Sequence, residues 1–95
     1  MMSLRRNPTM HTLSHYKSQA QFCTYVPEGG ELQSVIVGSK RDTYYWLTGD
    51  NEITVTYNHK MSNWCNTIKK TMTLEEGQNH LRKCRTDLDT RVVIE

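Results

Sequence analysis

Thr73 to Leu88, TLEEGQNHLRKCRTDL, is the one stretch of this chain with a sustained helical period, and it limits what can precede it. Thr73 and Glu76 carry the signature of a capping box. The threonine hydroxyl accepts from an N–H of the first turn, and the glutamate reaches back to the N–H of Thr73. Leu74, Gly77, Leu81, Cys84 and Leu88 follow at i, i+3, i+7, i+10 and i+14, which at about 100° per residue is one narrow face. Glu75, Glu76, Asn79, Arg82, Lys83 and Thr86 occupy the other side. Acids open the helix and bases close it, which suits its dipole. Gly77 costs roughly 1 kcal/mol against alanine in a helix interior. Its place on the apolar face lets the backbone lie close to whatever the helix covers. Asp87, Asp89 and Thr90 mark the exit.

The chain before this helix reads as strands and turns. Gln21 to Val26 is rich in Phe, Thr, Tyr and Val and is expected as a strand. Pro27-Glu28-Gly29-Gly30 is a turn, with proline presetting φ and glycine accepting positive φ. Glu31 to Val37 is the next strand, Gly38 to Arg41 the next turn, and Asp42 to Leu47 a further strand. Gly49-Asp50-Asn51 closes a hairpin onto Glu52 to Tyr57, where Ile53, Val55 and Tyr57 face one way and Thr54 and Thr56 the other. Asn58 to Asn63 is a polar loop. Trp64 to Met72 has helical spacing at Trp64, Ile68 and Met72, but its threonines and the capping box favour a strand. Arg91 to Ile94 reads as a short terminal strand.

These pieces predict an α+β fold: an antiparallel β-meander of four to five strands, one C-terminal α-helix packed on one face, and a short terminal strand. Residues 1–18 lack either period and read as a flexible basic arm; residues 19–95 form a single small α+β domain. The expected core is Ile53, Val55, Tyr57, Leu74, Leu81, Cys84 and Leu88. One helix leaves the second sheet face uncovered. Tyr44, Tyr45 and Trp46 are consecutive, so aromatics point to both faces. Those on the uncovered face make either a small second core under the N-terminal arm or a contact surface.

The apolar fraction is 36%, below the ~45–50% of ordinary domains, so one core is within reach and a second is not. The net charge of +2 does not by itself imply nucleic acid. Residues 1–27 nevertheless carry Arg5, Arg6 and Lys17 and no acid. No apolar run approaches the length of a membrane span, and the N-terminus lacks a signal peptide's apolar region. Three cysteines, an odd count, fit reduced thiols and a cytoplasmic location.

Chemistry-bearing patterns are few. His80 and Cys84 lie at i, i+4, and His59 and Cys65 lie upstream, so His59, Cys65, His80 and Cys84 could together bind a structural zinc. Cys84 has a competing role as a small buried hydrophobe, and the expectation is no cofactor. No nucleophile elbow, P-loop, dinucleotide fingerprint or zinc-protease motif occurs, so no enzyme is expected. The leading functional reading is a non-enzymatic module that binds a protein partner or itself through Tyr44, Tyr45, Trp46 and Trp64, since Tyr and Trp favour such contacts. The alternative is nucleic-acid binding through Arg5, Arg6, Lys40, Arg41, Lys69 and Lys70, with sheet aromatics available for base stacking.

Overall fold

The structure, a computed structural model, describes residues 12–60, 69–84 and 90–94. In chain order these form α1 (Leu13–Cys23), β1 (Glu31–Gly38), β2 (Arg41–Gly49), β3 (Glu52–His59), β4 (Lys69–Thr73), α2 (Leu74–Cys84) and β5 (Thr90–Ile94). The strands make a five-stranded sheet in the order β4-β3-β2-β1-β5, antiparallel throughout. Strands β1 to β4 are the expected meander. The terminal strand does not extend it but crosses to the far edge and pairs with β1.

The C-terminal helix forms as its signature requires. The Glu76 N–H donates to Thr73 Oγ1 at 3.1 Å, and the Thr73 N–H donates to Glu76 Oε1 at 2.9 Å. Asn51, from the β2–β3 turn, accepts the Leu74 N–H at 3.3 Å. These bonds serve donors that a helix start otherwise leaves to water. Gly77 is buried, and a Cβ built there would sit 3.4 Å from Ile53 Cγ1, so the helix backbone rests almost directly on the sheet. Ile53 and Val55 are buried as expected; Tyr57, Leu74, Leu81 and Cys84 pack partly buried against them, with Ile36 and Tyr45. Leu88 lies outside the described residues.

A second helix corrects the one-helix expectation. Residues 13–18, read as flexible arm, and Gln21 to Cys23, read as strand, all belong to α1. Leu13, Tyr16, Ala20 and Cys23 fall at i, i+3, i+7 and i+10, and the first three are buried on the sheet beside Leu32, Val35, Tyr44 and Trp46. Thr12 caps the helix by accepting from the His15 N–H at 3.3 Å. Thr24 then anchors its end, donating through Oγ1 to the Tyr57 carbonyl at 2.7 Å. An isolated helix of this length is marginal in water, so burial of that face is what holds it.

The sheet is therefore covered on both sides, α1 on one face and α2 on the other. Thr54 and Thr56 are buried in consequence, not solvent-facing. The Trp46 indole N–H donates to Thr56 Oγ1 at 2.9 Å. Of the ambiguous stretch 64–72, residues from Lys69 onward are strand; the earlier ones lie outside the described residues.

Candidate functional site

Of the four residues expected to form an aromatic contact surface, the three that are described, Tyr44, Tyr45 and Trp46, are buried. Tyr44 and Trp46 are buried at 0% and 1% exposure under α1, stacked with ring centroids 6.3 Å apart. Tyr45 points to the other face, also buried, and meets His80 edge-on at 6.4 Å. Tyr44 and Trp46 are covered by α1, whose Leu13, Tyr16 and Ala20 supply the second core that composition argued against, and Tyr45 packs with Ile36, Ile53 and Val55 beneath α2. Trp64 lies outside the described residues. Phe22, Tyr25 and Val26, at the end of α1, are instead among the exposed large hydrophobics.

One open space lies on the α2 face. A cleft of about 570 Å³ runs between α2 and the β1–β2 turn. Three cations expected for nucleic-acid binding reach it from different elements: Lys40 from the turn, Arg41 from the start of β2, and Lys70 from edge strand β4. Lys83 and His80 enter from α2. Among the described lining residues there is no carboxylate.

Local structure explains the convergence. Lys70 stands opposite Val55 in the β3–β4 ladder, on the face that α2 covers. Thr43 stands opposite Tyr57, and Arg41, two residues before Thr43, shares its face. The Arg41 guanidinium sits 4.6 Å over the Tyr57 ring, a cation–π contact that fixes its position while leaving N–H donors for a ligand. The turn is tight: a Cβ on Gly38 would fall 2.9 Å from the Arg41 carbonyl oxygen, so only glycine fits there.

Two acids near these cations are engaged elsewhere. Asp42 pairs with Lys60 at 3.1 Å. Glu76 is near enough to His80 and Lys70 to feel both charges, but its carboxylate is held by Thr73. The Thr73 backbone and hydroxyl bonds keep Glu76 below the usual carboxylate range. Burial, with smaller effects from Cys84 and Tyr57, pushes the Tyr45 phenol up to about 12, although Arg41 works against this. Tyr45 is therefore a neutral hydroxyl at any physiological pH.

Of the four metal-ligand candidates, His80 and Cys84 share the cleft. His59 ends β3 beside Tyr57, with ring centroids 6.3 Å apart, and is not in the lining. Cys65 lies outside the described residues, as do Arg5 and Arg6. Among the described residues no group of three or more His, Cys, Asp or Glu side chains is placed to hold a metal ion. Lys69 opens β4 opposite Thr56. Among the described residues, no helix is long and apolar enough to cross a membrane.

A smaller cavity of about 190 Å³ lies beside the cleft, between β1 and α2. Tyr45 lines both spaces. Sequence reasoning named neither this cavity nor Ser34 within it. The only available signal was Gly77 on an apolar helix face, which announces close approach but not a void. Comparisons with protein-family models, with curated proteins and with solved structures give no match to this chain.

Proposed function

We propose that this protein is a non-enzymatic nucleic-acid-binding module that holds a phosphate backbone in the cleft between α2 and the β1–β2 turn. The observation that carries this reading is the convergence of Lys40, Arg41 and Lys70 on one cleft whose described lining has no carboxylate. Each cation that neutralises a phosphate releases condensed counterions, which is the main source of sequence-independent affinity. The Ser39 and Thr43 hydroxyls line the same cleft and suit phosphate oxygens. The cations come from three separate elements, and their joint placement is unlike a solvated row of lysines along one edge.

The protein-contact reading drew on an uncovered aromatic face, and three of its four residues, Tyr44, Tyr45 and Trp46, are buried, which favours the cleft instead. Fluorescence anisotropy with labelled oligonucleotides tests the nucleic-acid reading. Binding should fall steeply between low and moderate salt. Lys40→Ala, Arg41→Ala and Lys70→Ala should each reduce the slope of log K against log salt by about 1 where a phosphate contact is lost. Failure to bind any oligonucleotide at low salt, or a triple variant that binds like the parent, would overturn it.

A further inference from the structure

Among the described residues that line the cleft, His80 alone carries a side chain of the kind that changes charge between about pH 5 and 8. It lies on α2 and is half-buried. Its ring meets Tyr45 edge-on, with centroids 6.4 Å apart and planes at 88°. That packing sets where the imidazole stands. No hydrogen bond engages its ring nitrogens within the described residues. A placed imidazole with unengaged nitrogens, on the wall of a cationic cleft, suits an anion. Neutral, such a ring offers one N–H; protonated, it offers two and a full charge.

The neighbouring groups hold their charges steady over the same range. Lys40 from the β1–β2 turn, Arg41 from β2, Lys70 from β4 and Lys83 from α2 are cations, and such side chains give up protons only far above neutral pH. Glu76, one turn earlier on α2, is near enough for its charge and that of His80 to interact. The bonds from Thr73 keep its carboxylate ionised well below neutral pH, so its negative charge is constant. Phenols and thiols, here Tyr45, Tyr57 and Cys84, ordinarily keep their protons below about pH 7.5.

We propose that His80 is a phosphate ligand of the cleft and its pH switch. The protonated imidazole adds one contact to the backbone held by Lys40, Arg41 and Lys70, so nucleic acid binds more tightly as pH falls through the histidine range. The assignment rests on the nucleic-acid reading of the cleft and specifies its regulation. A phosphodiester keeps its charge throughout, so the change lies with the protein. A proton on the imidazole and a phosphate in the cleft attract one another, and each strengthens binding of the other by the same factor. One more cationic contact also releases more condensed counterions, so acidification steepens the salt dependence as well as raising affinity.

The test is fluorescence anisotropy of the full chain with labelled oligonucleotides, single-stranded and duplex, that lack terminal phosphates. Binding is read at about pH 5.5 and about pH 7.5, on either side of the ordinary histidine value. In ~0.1 M salt the affinity should be about five- to tenfold higher at the lower pH, and the slope of log K against log salt steeper by about 0.7 to 0.9. His80→Gln keeps a polar side chain without the switch, and should bind at both pH values as the parent binds at the higher one. His80→Lys carries a permanent charge. It should also lose the pH dependence, and should bind at the higher pH nearly as the parent does at the lower, which reads the charge independently of any packing the glutamine disturbs. His59→Gln should keep the full dependence, since His59 lies outside the lining. If the parent binds with one affinity and one slope at both pH values, or either His80 variant keeps the full dependence, the His80 assignment is overturned and the cleft reading stands. If no oligonucleotide binds at low salt at either pH, both fall together.

Discussion

Trp46 and Thr56 are joined across β2 and β3 by a buried hydrogen bond, with the indole Nε1 donating to the hydroxyl at 2.9 Å. Trp46 is the largest fully buried side chain among the described residues, and the bond lets an indole lie beneath α1 without an orphaned N–H. Thr56→Val keeps the shape and removes the acceptor. It should destabilise the fold by about 1–3 kcal/mol, the cost of a buried donor left unmade. Urea denaturation followed by tryptophan fluorescence measures this, and an unchanged midpoint would show that the bond contributes nothing.

Alkaline pH should loosen the α2 face. The Tyr45 hydroxyl is raised by burial from its ordinary 10.0 to about 12 in the folded chain. Between those values the unfolded chain has lost the proton and the folded chain retains it. The unfolded state then binds fewer protons, so stability falls as pH rises through this interval. Tyr44, buried against Cys23, is shifted in the same direction, first by burial and then by its bond to that thiol. Absorbance titration of phenolate should show these two groups resisting ionisation until the protein opens, with both titrating normally in denaturant.

Gly77 lies in a helix interior with ordinary van der Waals room for one more carbon, the nearest atom to an added Cβ being Ile53 Cγ1 at 3.4 Å. Gly77→Ala should therefore fold and gain up to about 1 kcal/mol of helix propensity. Thermal melting checks this. A clear loss of stability would mean that α2 has no freedom to shift from the sheet.

The two helices show what was legible in the sequence and what was not. Leu74, Gly77, Leu81 and Cys84 carry the same spacing as Leu13, Tyr16, Ala20 and Cys23. The first set was readable because Thr73 and Glu76 announce a helix start. In the second, Thr12 is followed three residues later by His15, which cannot close a capping box, and Ala20 and Cys23 are too small to stand out among His15, Lys17, Ser18, Gln19 and Gln21. The strands from Glu31 to His59 were legible from alternation and from their glycine-bearing turns. The basic clusters were visible singly. Their meeting depends on strand register and on where α2 crosses, which are tertiary facts that no local pattern contains.

The route of α2 has a further consequence. It leaves edge strand β4 and crosses the face of the sheet, and the chain then joins β5 to β1 at the opposite edge. The four strands of the meander close short loops, whereas β5 must find a partner far back in the chain, and loop closure grows more costly with length. Assembly should therefore be ordered in time, with the meander preceding the docking of β5. Thr90 lines the cleft and Ile94 the cavity, so one wall of each is added only in that last step. Transient detachment of β5 would then open one wall of each space without unfolding the rest.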